Sequence, residues 1–530
     1  MDARIRSMRR NHRWTALLVA SVSCTAGPQV QATSEMPGGR PNVLFVIIDD
    51  LRPELSCFGV EGIQTPNLDR FAAEGMVFQR AYCQSAACAP SRASAMLGRR
   101  PDSTRVWSLG EKFREIDPDA VTLPMHFAEH GYHTVSMGKI FHNHMPDRVS
   151  FIEPDLRPAE YLTPEMIDRD PESFYVDDDL KAELAQVRAA RIEKNPGRYA
   201  GGWAYGKSTE ATEAPNESFY DGAQTKLALD KLGQLKDREE PFFLAVGYYR
   251  PHLPFSAPKK YWDLYDPEDI PAASNGFLPE GSPAMAMNSM YELRACYDLE
   301  DTQHPAEEQL PEATAKRLKH GYWACVSYID ACVGELLDGL EAMGLDDDTI
   351  VVVWGDHGWK LGEHGSWCKQ TNYEEDTRVP LLIRAPGRHA AGASTDRLVE
   401  LVDLYPTLSE LAGLEVREDM EGDSFVPLLE EPDREWKSAA FSHYIRRPKN
   451  SPDNKRYMGR SMVTDRYHYV EWRPWDHETK TAGEVAATEL YDLEVDPDEN
   501  VNIASREGNA ALVRECAGQL EGGWKQAKPE

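Results

Sequence analysis

Nine cysteines in 530 residues are too few for a fold stapled by disulfides. Positive charge is scarce too: 58 lysines and arginines face 88 acids, for a net charge of −30. That balance argues against nucleic acid and anionic membrane as partners. It also gives no long-range pull on an anionic substrate, so any such affinity must come from a local basic cluster. Beyond the N-terminus no run is apolar enough for a bilayer, and no internal repeat is found.

The N-terminus is different. Arg4, Arg6, Arg9, Arg10 and Arg13 precede the apolar stretch Trp14 to Ala20, and Val30-Gln31-Ala32 offers a cleavage site. Residues 1–33 therefore read as an export signal, too short for a permanent anchor. Ser21-Val22-Ser23-Cys24 is a poor lipoprotein box, which leaves lipidation of Cys24 open. The mature protein is expected to be soluble and periplasmic or secreted. Cys325 and Cys332 sit seven apart in a helical pattern, about 10 Å along the axis, too far to bridge. Cys57, Cys83 and Cys368 remain candidates for bridges, with no pairing assigned.

Residues 34–430 read as one α/β domain and 431–530 as a smaller α+β subdomain with a short antiparallel sheet. Val43 to Ile48, Tyr132 to Met137, Pro241 to Tyr248, Thr349 to Trp354 and Val379 to Arg384 are strands, three of them unbroken apolar runs. Such runs mark a mostly parallel sheet covered by helices on both faces. Helices are expected over Thr65–Gly75, Leu123–His130, Asp221–Leu235, Leu404–Ala412 and Ala510–Lys525. Pro311 to Met343 is expected to be helical in two pieces around Gly321. Residues 143–240 form an irregular acidic insertion with no core pattern before the Asp221 helix, suited to shaping a pocket.

Four of these strands end in titratable residues. Asp49-Asp50 follow the first, Lys139 and His142 the second, His252 the third, and Asp356-His357 with Lys369 the fourth. Open α/β sheets place their sites at the carboxyl ends of strands. Adjacent carboxylates there need a cation or a raised pKa. Between the first two strands, Cys88-Ala89-Pro90-Ser91-Arg92 opens a helix that stops at Gly98. A nucleophile at Cys88 would face free helix N–H groups, and Arg92 adds a planar fork suited to an oxyanion.

The run C-x-P-S-R-x-x-x-x-x-G-R from Cys88 to Arg99 resembles the signature of type I sulfatases, formylglycine-dependent members of the alkaline phosphatase superfamily. So do Gly138-Lys139 with His142, and the closing segments Glu489 to Leu493 and Asp496 to Asn500. Leu51-Arg52-Pro53, Gly98 to Arg105, Phe242 to Tyr248 with Pro251-His252, and Asp356 to Gly365 bring the chain nearest the iduronate 2-sulfatase branch.

The resemblance implies that Cys88 is oxidised to formylglycine by a formylglycine-generating enzyme. It implies one Ca²⁺ held by Asp49, Asp50, Asp356 and His357 with the modified Cys88. Lys139, His252 and Lys369 would bind and polarise the sulfate, His252 or Lys369 protonating the leaving oxygen, with His142 as base and Arg105 and Trp359 facing the sugar. The implied substrate is a sulfated saccharide, with exo removal of a 2-O-sulfate from a uronic acid. Because the 143–240 insertion departs from that branch, another sulfated polysaccharide, such as an algal one, stays open. A phosphodiester or phosphonate hydrolase of the same superfamily and a non-catalytic glycan binder are the competing classes. The Gly98 to Asp102 run and the complete set of site residues weigh against them.

Overall fold

The computed structural model describes residues 39–142, 145–158, 174–194, 206–447 and 453–529. The expected leader and Cys24 lie outside them. The strand Asn42–Ile48 carries no polar residue after Asn42, and Val43 to Ile48 are all buried. Alternation along it feeds two cores. Leu44, Val46 and Ile48 pack with Tyr322 and Leu336 of the helix Glu312–Ala342. Val43, Phe45 and Ile47 pack with Met96 of the helix Cys88–Leu97 and with Leu404 and Leu408.

Around this strand runs a nine-stranded sheet. Its order is Ala393–Thr395, Met76–Tyr82, Arg378–Arg384, Thr349–Gly355, Asn42–Ile48, Phe242–Tyr248, His133–Gly138 and Glu153–Leu156, with Val399–Glu400 also paired to Met76–Tyr82. All pairings are parallel except those of Arg378–Arg384. Register decides what emerges at the rim. Ile48 lies opposite both Tyr248 and Gly355, and Gly138 opposite Gly247. Asp49, Lys139, Tyr249 and Asp356 therefore leave the sheet side by side. A Cβ at Gly247 would stand 2.1 Å from the Lys139 carbonyl oxygen, so only glycine lets these strand ends close up.

Two expectations need correction. The helix Glu312–Ala342 is continuous over 31 residues and does not break at Gly321. A Cβ there would meet Phe255 Cβ at 2.9 Å and the Trp262 ring at 2.8 Å, so this glycine is a packing seat. The insertion is not irregular up to residue 220 either. It holds the helix Asp178–Lys194, whose buried residue is Leu184, a helix with no apolar stripe to read. Residues 143–144, 159–173 and 195–205 of the insertion lie outside the description.

Ala440–Arg446, Tyr457–Val463, Tyr467–Asp476, Thr481–Ala482 and Ala487–Asp492 make the antiparallel C-terminal sheet, followed by the helix Ala510–Gly522. It docks beside the Cys88 helix: the His443 amide donates to the Gln84 carbonyl at 3.0 Å and the Ser442 hydroxyl to the Cys83 carbonyl. All eight described cysteines are free. Cys325 and Cys332 are reduced as expected, but Cys57, Cys83 and Cys368 form no bridge. Cys83 and Cys368 are buried singly, the Cys83 thiol 3.8 Å from the Asp376 carbonyl. Among the described residues no helix is long and apolar enough to cross a membrane.

Candidate active site

Asp49 and Asp50 end the central strand, and Asp50 turns the chain with a left-handed φ of 59°. The turn sends the two carboxylates to different partners. Asp49 accepts from Arg92 Nη2 at 3.0 Å and Lys139 Nζ at 2.5 Å. Burial would raise its pKa, but Lys139 and Arg92 override burial and hold it well below the usual value. Asp50 accepts from Lys369 Nζ at 2.7 and 2.9 Å. Burial, opposed by Lys369 but reinforced by Asp49, Glu292 and Asp356, pushes it well up.

Cys88 is the first residue of its helix, with Sγ 3.2 Å from His357 Nε2 and 3.7 Å from Lys139 Nζ. Burial, then the Asp49 charge, raises the thiol pKa well above normal, so the unmodified side chain stays protonated and weakly nucleophilic. His357 Nδ1 donates to the Gly358 carbonyl at 3.0 Å, which leaves an Nε2 lone pair facing the cluster. That nitrogen lies 3.6 Å from Asp50 Oδ1 and 3.7 Å from Asp356 Oδ2. Burial lowers the His357 pKa, so the ring is neutral.

That lone pair accepts from the protonated Cys88 thiol, and together with the Asp50 and Asp356 oxygens around it forms a set of donor atoms that a cation could share. Asp49, Asp50, Cys88 and His357 each offer a ligand atom, all within 4.8 Å of one another. The residues present fit a metal ion by charge as well. Four buried carboxyl groups (Asp49, Asp50, Asp356, Glu292) face three fixed cations (Arg92, Lys139, Lys369). Burial first, and then this surplus of one negative charge, raise the proton affinity of Asp50.

Lys369 Nζ also lies 3.0 Å from Glu292 Oε2 and 5.0 Å from the Trp359 ring centroid. Cys368 and Gln370 on either side of it have φ of 71° and 82°, strained conformations of the kind that cluster at functional sites. His252 Nδ1 donates to the Leu253 carbonyl at 2.7 Å, and Nε2 lies 3.9 Å from Asp50 Oδ2. Burial, then Lys369 and Lys139, pushes the His252 pKa well down.

The fold thus brings together Asp49, Asp50, Cys88, Arg92, Lys139, His252, Asp356, His357 and Lys369. His142 is buried on the loop three residues past Lys139. Three expectations change. Arg92 does not offer its fork to an oxyanion: Nε donates to Asp356 at 2.7 Å, and Nη1 to the Lys139 and Ile140 carbonyls. Trp359 faces no sugar, being fully buried beneath Lys369 and edge-on to Phe255. Arg105 is exposed and lies 5.5 Å over the Trp107 ring, outside the cluster. Glu292 was not foreseen; it lies in an irregular stretch with no strand before it to signal a rim position.

A model of the sulfatase family matches residues 41–414, and a model of the N-sulphoglucosamine sulphohydrolase C-terminal region matches residues 362–526. Iduronate 2-sulfatase of Homo sapiens is 32% identical over 557 aligned residues, covering 92% of this chain and 95% of its own. The solved phosphonate monoester hydrolase of Agrobacterium radiobacter superposes with a TM-score of 0.70 at 22% identity, over 92% of this chain and 96% of its own. A solved 2-O glycosaminoglycan sulfatase gives 0.65 at 21%, over 92% of each chain. At such identities the two structures speak for the fold alone. The family match and the human relative, each spanning most of the chain, settle the class: this chain belongs to the sulfatase family and is a sulfuric ester hydrolase.

Proposed function

We propose that this sulfatase is exported, carries formylglycine at Cys88 and one Ca²⁺, and removes a 2-O-sulfate from a uronic acid at a glycan end. The observation that carries the proposal is the convergence of Cys88 with Asp49, Asp50 and His357 from three distant parts of the chain. The human relative and the Gly98 to Asp102 run support the uronate substrate, and the basic leader at residues 1–33 supports export. We divide the mature chain into a catalytic domain, 34–430, and a subdomain, 431–530.

Asp49, Asp50, Asp356 and His357 would hold the ion, with the modified Cys88. Oxygen donors suit Ca²⁺, which would lend positive charge to a sulfate oxygen and to the nucleophile. Formylglycine would supply, as its hydrate, one hydroxyl to attack sulfur and a second whose deprotonation expels the sulfate.

The chain's own residues do the rest. Arg92 locks Asp49 to Asp356 and so sets the spacing of the carboxylates. Lys139 and Lys369, kept charged by those carboxylates, present ammonium N–H groups to the transferring sulfuryl oxygens. The leaving sugar oxygen takes its proton from the Lys369 ammonium or from His252 Nε2; His252, fixed through Nδ1 and neutral at rest, can give one only after taking the proton that the attacking hydroxyl releases. His142 is assigned the proton of the second hydroxyl.

The test is a panel of sulfated mono- and disaccharides, including uronate 2-O-sulfates and algal fragments, run beside an aryl sulfate and an aryl phosphodiester. Mass spectrometry of the Cys88 peptide accompanies it. Hydrolysis of a terminal uronate 2-O-sulfate by aldehyde-bearing protein is expected. An intact thiol in fully active protein, or a preference for the phosphodiester, overturns the reading.

A further inference from the structure

Lys369 is held by two carboxylates. Its Nζ lies 2.7 and 2.9 Å from the Asp50 oxygens and 3.0 Å from Glu292 Oε2. Glu292 is 4% exposed, and its other oxygen accepts from Gln370 Nε2 at 3.2 Å and Tyr291 OH at 3.3 Å. The segment around it is tied to the lysine loop a second time. Asn288 Nδ2 donates to the Trp367 carbonyl at 3.0 Å and the Lys369 carbonyl at 2.6 Å, while its Oδ1 accepts from the Met290 amide at 3.0 Å. Residues 288–292 thus grip both the backbone and the ammonium of Lys369.

The function proposed above gives Asp50 to a metal ion, and a metal and an ammonium then compete for the same oxygens. Glu292 is the carboxylate left to Lys369. We infer, resting on that reading, that Glu292 is the positioning residue that keeps the Lys369 ammonium aimed at the transferring sulfuryl group once Asp50 turns to the cation.

Glu292→Gln, Glu292→Asp, Lys369→Ala and the Glu292→Gln/Lys369→Ala double variant of the full-length matured protein test this on an aryl sulfate. Glu292→Gln should lower kcat by about 10- to 100-fold, with KM changed less than about threefold. Glu292→Asp should restore part of that loss. The double variant should be no worse than Lys369→Ala alone, because the glutamate acts through the lysine. Calcium content by elemental analysis and the melting temperature should match the unaltered protein.

A kcat within about twofold of normal for Glu292→Gln overturns the inference. So does multiplicative loss in the double variant, or loss of calcium, which would make Glu292 a ligand instead. A fully active Lys369→Ala would instead strike the proposed function itself, which keeps the two failures apart.

Discussion

Asp49 and Asp50 are neighbours in sequence, equally buried, and opposite in character. On the Asp49 side Arg92 and Lys139 satisfy every facing carboxylate oxygen, and the pKa falls. On the Asp50 side one lysine is shared with Glu292 while Asp49 and Asp356 stand near, and the pKa rises. One half of the site is a finished electrostatic structure; the other is short of positive charge. The settled half holds geometry, and the unsettled half is where an added cation gains most and, once in place, would let an anionic sulfate approach. Sulfatase chemistry needs both.

The seam between the halves is Cys88, and its loss should have the largest effect. Cys88→Ala is expected to cut hydrolysis of an aryl sulfate by at least about 10⁴-fold while leaving the melting temperature near normal. Breaking the settled half comes next. Arg92→Met leaves Asp49 and Asp356 buried without their partner and should cost about 3–5 kcal/mol in urea unfolding, with activity lost too. A cost under about 1 kcal/mol would mean that the two halves do not differ as described.

The unsettled half should respond with the opposite sign in chelator-treated protein. Asp49, with its depressed pKa, adds stability above the unfolded value near ~4 and loses it as pH falls through its lower folded value. Asp50, with its raised pKa, carries a penalty above its folded value that fades as pH falls through it. Asp50→Asn removes that penalty. It should raise the melting temperature by about 1–2 °C near neutral pH, with the gain shrinking on acidification. With calcium restored the same variant should lose activity. The smallest effect belongs to Trp359→Phe. A weaker ring beneath the Lys369 ammonium should lower kcat by about two- to fivefold.

Much of this was legible from residue order because burial on both faces writes unbroken apolar runs. Val43 to Ile48 and Thr349 to Trp354 announced themselves as central strands, and so the rim residues that follow them stood out. Glu292 could not stand out. It reaches the rim from irregular chain, held by Asn288 through contacts that local pattern does not encode. Gly321 misled for a related reason: a glycine in a helix reads as a break, and only the approach of Phe255 and Trp262 shows it to be a contact. The Arg92 fork was read from its chemistry alone. Which anion it grips, a substrate's or the protein's own, depends on carboxylates far along the chain.

The contact between Cys88 and His357 spans 269 residues. At roughly 5–20 residues per second, a ribosome needs about 13 to 54 s to travel from one to the other. Throughout that interval the thiol has emerged while the strand that will bury its neighbourhood does not yet exist. In the finished protein Cys88 is 3% exposed. For a modification that must reach the sulfur, such as the formylglycine conversion proposed above, this topology would set a clock, because the nascent or still-unfolded chain offers a thiol that the folded chain buries.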